Sequence, residues 1–284
     1  PDVVHCHDTL VLPIGVIVKF FARAKLVYDA HELESDRNGL SRVQSILTLW
    51  VEKLVWRSVD ALIVVSPSIE QWYQKTVGSK PSTIILNSPS FSNEVELDAD
   101  YLREKFNIQK DCKIFIYVGI LGHGRGIDLL TGAFSRKEVS SHIVFLGYGA
   151  LEGGLKAMAA EYPNIHVHEA VPHSEVVPIV RSADFGTCLV QNVSLSDYYC
   201  LPNKLFEYCF SGVPVLASNF PDIADVVQEY NMGVCVDLSE DSVEKAILDF
   251  QDSEFSYLTE KEKLNELSWA SQEEKLLELY SRFE

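Results

Sequence analysis

The chain has 284 residues, is 47% hydrophobic and 23% charged, and carries a formal net charge of −17. That length supports one large core or two ordinary ones, with two the expectation, and no apolar run approaches the roughly 20 residues of a membrane-spanning helix. An acidic chain lacks the basic footprint that nucleic acid demands, and its six cysteines are dispersed without a Cys-x-x-Cys pair, which argues against a disulfide framework or a zinc cage and fits a reducing cytoplasm.

Residues 1–88 hold nine basic and nine acidic side chains, so the whole acidic excess falls on 89–284. In this first segment PDVVHCHD, AKLVYDA, DALIVVS and STIILNS are short Val- and Ile-rich runs separated by helical stretches, the pattern of a parallel α/β sheet. His5 and His7 share one face at the end of the first run. With Asp8 they spell the start of a metal site, but no third ligand group is identifiable, so a cleft-lining role is expected and no metal is assigned. Asp29, His31 and Glu32 end the second run, either as an acceptor-side polar cluster or as a helix amino-end cap. In residues 41–60, Ile46, Leu49, Trp50, Leu54 and Val55 form a helical stripe beside Lys53 and Arg57, which suits a core-packed helix or one lying on a membrane surface. The segment 1–88 opens on a strand and is shorter than the roughly 100–150 residues of a doubly wound domain. The expectation is an acceptor-side Rossmann-like domain whose first strands lie outside this sequence.

Residues 89–111 are polar and are taken as the linker. Their Asp98-Ala99-Asp100 has the spelling of a metal-binding Asp-x-Asp, but it stands just before a helix pattern, where carboxylates are ordinary caps. From 112 to 256, six further strand runs alternate with helices and predict a second Rossmann-like domain. Its stretch YVGILGHGRGIDLL (117–130) is a strand, a loop with Gly119, Gly122, Gly124 and Gly126, and a helix start. Such a loop is either a packing turn or a phosphate cradle, and Arg125 within it favours phosphate. In LPNKLFEYCFSGVPV (201–215), Lys204 and Glu207 lie three apart on a helix opening near Pro202, either as a surface ion pair or as a site. Both turns fall at strand carboxyl ends, so Arg125 and Lys204 can converge on a diphosphate while Glu207 accepts hydrogen bonds from a sugar's hydroxyl pair.

GILGHGRGIDLL, LGYGAL (146–151), VPHSEVVPIVRSADFGTCL (171–189), LPNKLFEYCFSGVPVLAS and MGVCVDLSEDSVEKAI (232–247) together resemble the donor domain of group 1 glycosyltransferases with the GT-B fold. PDVVHCHD, LVYDAHEL and SVDALIVVS resemble the carboxyl part of that family's acceptor domain. The resemblance implies a nucleotide-diphosphate sugar held in the interdomain cleft and sugar transfer with retention, without metal or resident cofactor. It implies catalytic roles for Arg125 and Lys204, which neutralise the leaving diphosphate, and for His7, chosen over His5, which meets the donor sugar. Gly122, Gly124, Leu201, Pro202, Asn203 and Glu207 would bind the donor, with Glu207 on the ribose. Where the family often has a first glutamate this chain has Tyr199, so the sugar would be read by other groups, such as the backbone of Leu201 to Asn203. A glycan or lipid-linked acceptor is implied, in cell-surface polysaccharide or glycolipid assembly. The enzyme would be cytoplasmic, with peripheral contact at the inner membrane face. The competing class is a nucleotide-sugar-binding pseudoenzyme, supported by Tyr199. Finally, Leu264, Leu267, Trp269, Leu276, Leu277 and Tyr280 recur at helical spacing in 257–284, and this closing helix is expected to cross back onto 1–88 from about residue 268.

Overall fold

The computed structural model describes residues 1–89, 97–252 and 261–283. Strand and helix alternate through β1 (Val3–His7), α1 (Asp8–Ala22), β2 (Lys25–Ala30), α2 (Arg42–Val55), β3 (Ala61–Val64), α3 (Pro67–Thr76) and β4 (Ser82–Ile84). The four strands pair in parallel in the order β1-β2-β3-β4, as helical crossovers require. Ser41 starts α2 with a capping box, its hydroxyl accepting from the Gln44 N–H while the Gln44 side chain accepts from the Ser41 N–H. Pro67 opens α3 behind the Ser66 cap. Side-chain alternation gives the sheet two dry faces. Leu26, Tyr28 and Ala30 pack with Leu12, Trp56, Ile69 and Tyr73, whereas Val27 and Ile63 belong to a second cluster on the opposite face.

The chain continues through α4 (Tyr101–Phe106), β5 (Ile114–Val118), α5 (Ile127–Phe134), β6 (His142–Leu146), α6 (Glu152–Glu161), β7 (Ile165–His168), α7 (His173–Val180), β8 (Phe185–Cys188), α8 (Leu195–Tyr198), α9 (Asn203–Ser211), β9 (Val215–Ser218), α10 (Pro221–Glu229), β10 (Gly233–Val236), α11 (Glu240–Gln251), α12 (Lys261–Leu267) and α13 (Trp269–Ser281). Its second sheet is parallel throughout, in the order β10-β9-β8-β5-β6-β7. The sheet therefore starts at its centre with β5, winds out to β7, then restarts beside β5 with β8, which is the doubly wound order. Phe115, Phe134, Phe145, Phe185 and Phe250 fill its core.

Two units result: Pro1–Ser88, Asn192–Leu201 and Glu266–Glu284 form the first, and Pro89–Gln191 with Pro202–Asn265 form the second. This differs from the boundaries expected from sequence in three places. Segment 192–201 belongs to the first unit: the Ser66 hydroxyl donates to the Tyr199 carbonyl at 2.6 Å, Ser196 Oγ accepts from the Leu33 N–H at 3.1 Å, and Leu195 and Tyr199 pack on the first core. Linker 89–111 is not a free spacer. Within it α4 buries Leu102, and Arg103 bonds Asp184 at 2.8 Å, all inside the second unit. Residues 90–96 of that linker lie outside the described residues. Asp98 accepts from the Asp100 N–H at 2.9 Å, and Asp100 stands at the N-cap of α4 without the side-chain cap bond expected there. The helix expected over 257–284 is divided at Ser268, which caps α13, and residues 253–260 lie outside the described residues. Leu276, Leu279 and Tyr280 of α13, with Phe283 just beyond it, pack with Val27, Ala61, Ile63 and Ile85, while Leu277, counted as inward from sequence, is 63% exposed. Gln272 is buried and accepts from the Leu86 N–H at 3.1 Å.

Candidate functional site

In a doubly wound sheet the ligand crevice lies outside the strand carboxyl ends where the winding reverses, which here is between β5 and β8. The loop 119–126 leaves β5 and enters α5 through Gly126, at φ +71°. A Cβ there would stand 2.3 Å from the Leu189 carbonyl oxygen, so only glycine lets the loop lie on the end of β8. The Gly124 carbonyl accepts from the Gln191 N–H at 3.0 Å and ties the same two segments. Helix α9 is keyed to the reversal point by Tyr208. Its buried hydroxyl accepts from the Val118 N–H at 3.1 Å and lies 3.0 Å from the Thr187 carbonyl and 3.2 Å from that of Ile116. Gly186 makes room for the ring, because a Cβ there would approach it to 2.5 Å.

That rotation fixes Lys204 and Glu207. The Lys204 ammonium stands 3.6 Å from the centroid of the Tyr117 ring and beside Gly119, a cation–π seat that holds it near the strand end. Glu207 is buried, with Oε1 3.3 Å from His173 Nε2. Burial pushes its carboxyl above the usual range, and His173 and Lys204 pull it partly back. Lys204, Arg125 and Glu207 all act on one buried group, Cys188 at the end of β8. Burial pushes that thiol up to about 11, Lys204 and Arg125 draw it down, and Glu207 draws it up. The structure thus brings together Arg125, Lys204 and Glu207, with Gly124 buried in the loop, Gly122 half-buried, and Pro202 and Asn203 at the mouth of α9. Leu201 is buried and grouped with the first unit. Two cations beside a buried carboxylate can neutralise a diphosphate and hold a vicinal diol. Sequence reading missed Tyr208, whose signal was a glycine inside a strand run. It also missed His173 and Tyr117, which no local spacing ties to the site.

In the first unit the two polar clusters read separately from sequence are one. Parallel pairing sets His7 opposite Asp29. Asp29 Oδ2 lies 3.0 Å from His5 Nε2, 3.2 Å from His7 Nδ1 and 3.8 Å from His31 Nε2. His7 Nδ1 and His31 Nε2 are 2.7 Å apart, and the other nitrogen of His5 bonds the Tyr280 hydroxyl of α13. Asp8, expected beside the histidines, instead opens α1 at φ +64° and hydrogen-bonds Glu34. Glu34 is buried, and its Oε1 has no hydrogen-bond partner among the described residues. Burial and the nearby Asp8 charge push its carboxyl up to about 7, against the pull of Arg37.

Helix α2 faces the wrong way for a core helix. Its one fully buried side chain is Glu52, whose Oε1 accepts from Tyr73 at 2.7 Å, Tyr28 at 2.8 Å and Thr9 at 3.2 Å. Ile46, Trp50 and Leu54 are exposed, as are Leu10, Ile14, Phe20 and Phe21 on the adjoining α1. The core-packed reading of the 41–60 stripe therefore fails for Ile46, Trp50 and Leu54, whereas Leu49 is half-buried and Val55 packs on the first core. No described helix is long and apolar enough to cross a membrane.

The family model described as Glycosyl transferases group 1 matches residues 98–268, and that described as Glycosyl transferase 4-like domain matches residues 1–89. Similar curated proteins are the chitobiosyldiphosphodolichol beta-mannosyltransferases of Kluyveromyces lactis, 25% identical over 77% of this chain and 56% of that protein, and of Candida glabrata, 24% identical over 78% and 56%. The chain thus spans just over half the length of these relatives. Among solved structures, Anabaena HepE in complex with UDP and glucose superposes with a TM-score of 0.77 at 14% identity, covering 99% of this chain and 78% of that one. Sucrose-phosphate synthase from Thermosynechococcus elongatus gives 0.75 at 17%, covering 99% and 73%. At such identities the likeness shows the fold, two Rossmann-like α/β units of the GT-B type.

Proposed function

Because the chain belongs to the group 1 glycosyl transferases, we propose that it moves a sugar from a nucleotide-diphosphate sugar to a glycan or lipid-linked acceptor in cell-surface polysaccharide or glycolipid assembly. The observation that carries the reading is the meeting of Arg125, Lys204 and buried Glu207 at the reversal point of the second sheet. As the bond to the sugar breaks, negative charge grows on the diphosphate. Arg125 and Lys204 are already in place to stabilise it, so the transfer draws on fixed cations and takes no metal ion at the phosphates. Glu207 grips the ribose diol, and the backbone of Gly122, Gly124, Pro202 and Asn203 lines the donor path. The first unit supplies the acceptor side, with His7 and His31 as its accessible imidazoles.

Support for a lipid-linked acceptor comes from the yeast relatives' names, which specify a dolichol diphosphate, and from the apolar faces of α1 and α2. The exposed Arg23, Arg42, Lys53 and Arg57 flank those faces, which suits an anionic lipid surface. Membrane contact at the cytoplasmic face is part of the proposal. Retention is the stereochemical course proposed for the group. A β-mannosyl product from an α-linked donor requires inversion, so the anomeric proton resonance of the product distinguishes the two.

Calorimetric titration with UDP and other nucleoside diphosphates tests the site. Lys204→Ala is expected to weaken binding by roughly 1.5–3 kcal/mol, about 10- to 150-fold in Kd. Glu207→Gln is expected to weaken nucleoside diphosphate but not inorganic pyrophosphate. Unchanged affinity in Lys204→Ala would overturn the assignment, and slow donor hydrolysis by the full protein separates an enzyme from a binding module.

A further inference from the structure

We propose that His5, His7 and Asp29, with His31 beside them, form a binding site for a single divalent transition-metal ion of the zinc class. The three core donors are His5 Nε2, His7 Nδ1 and Asp29 Oδ2, all within 4.8 Å of one another. A tetrahedral zinc site with bonds of about 2.0–2.1 Å puts neighbouring donors about 3.3 Å apart. The separations of 2.7 Å from His7 to His31, 3.0 Å from His5 to Asp29, 3.2 Å from His7 to Asp29 and 3.8 Å from His31 to Asp29 bracket that value.

The backbone places these donors by rule rather than by chance. His5 and His7 are two apart on β1 and share a face, and the register that pairs His7 with Asp29 puts the carboxylate on that same face of β2. The rings stack with centroids 4.4 Å apart for His5 and His7 and 5.0 Å for His7 and His31, so side-chain rotation is needed to turn their in-plane lone pairs onto one ion. Asp29 is 8% exposed and already faces all three imidazoles. His5 is oriented from behind by the Tyr280 hydroxyl on its other nitrogen, the outer partner that metal-ligating histidines characteristically have. A donor set of imidazoles and one carboxylate selects zinc, cobalt, nickel or copper over magnesium and calcium, which require oxygen ligands.

The four residues all belong to the first unit, and the test does not depend on transferase activity. Chelator-treated full-length protein is titrated with zinc chloride by calorimetry and with cobalt(II) by visible absorption. One ion per chain is expected, with the ligand-field bands of four-coordinate cobalt and no competition from magnesium. His7→Gln, a largely exposed position that should leave folding intact, is expected to lower zinc affinity at least 100-fold. Tyr280→Phe, which keeps every ligand, is expected to lower it about 10-fold or more. His166→Gln serves as the control: it breaks the other close histidine pair, His142 with His166 at 2.9 Å, and should leave zinc binding unchanged. Zinc affinity unchanged in His7→Gln, or lost in His166→Gln instead, would overturn the proposal.

Discussion

Glu34 departs from its ordinary carboxylate behaviour without a substrate to explain it. Its carboxyl ionises at about 7 rather than its ordinary 4.5 because burial, with the Asp8 charge beside it, disfavours the anion. The unfolded chain ionises the group near 4.5, so between there and about 7 the unfolded state holds fewer protons and stability falls as pH rises. Below that window the penalty is absent, and above it the penalty is complete, up to about 3 kcal/mol. Glu34→Gln should therefore melt several degrees higher than the parent at about pH 8 and within a degree or two at about pH 5. Equal gains at both pH values would mean that the substitution acts through packing. At this scale the sequence was informative in kind but not in grouping. His5, His7, Asp29 and His31 were all legible as strand-end polar residues, yet only the β1–β2 register makes them neighbours. Asp8, adjacent to His7 in sequence, turns away because its φ of +64° sends the chain into α1.

Helix α2 shows why an amphipathic pattern alone does not say which side faces in. Its apolar stripe was plain from spacing, but its length was not, since the helix runs only from Arg42 to Val55 within the 41–60 stretch. What spacing could not supply was Tyr28 and Tyr73, two hydroxyls from other elements that reach Glu52 and make a buried carboxylate tolerable. Once Glu52 turns inward, Ile46, Trp50 and Leu54 must turn outward. Replacing Trp50 and Leu54 together by serine should leave thermal stability within about 1 kcal/mol, because exposed side chains lose little packing. The same pair of changes should lower sedimentation with vesicles containing anionic phosphatidylglycerol several-fold. Undiminished vesicle binding would remove α2 from the membrane proposal. Helix α9 is the opposite case. Its start near Pro202 and the pairing of Lys204 with Glu207 on one side were legible, whereas its rotation depends on the Tyr208 hydroxyl meeting Val118, Thr187 and Ile116.

For the whole molecule, the alternation of strands and helices was enough to read two parallel sheets, but not the itinerary that assigns 192–201 and 266–284 to the first unit. Those segments join it through contacts distant in sequence, such as Leu33 to Ser196 and Leu86 to Gln272, that no local pattern announces. All four tryptophans, Trp50, Trp56, Trp72 and Trp269, fall in the first unit, so their fluorescence reports its unfolding alone. Leu279→Ala removes a side chain buried among Val27, Ala61, Ile63 and Ile85 and should cost about 2–4 kcal/mol. The loss is expected as a lower urea midpoint in tryptophan fluorescence, and an unmoved midpoint would show that α13 does not hold that face. The discontinuous first unit also sets an order of events during synthesis. β4 is complete at Ile84, yet the helix that covers Val27 and Ile63 arrives only with Leu276 and Leu279. At ribosomal rates that interval is on the order of ten seconds. Throughout it the nascent chain carries a bare apolar strip on a finished sheet, so its yield in a cell depends on what shields that strip before the last helix docks.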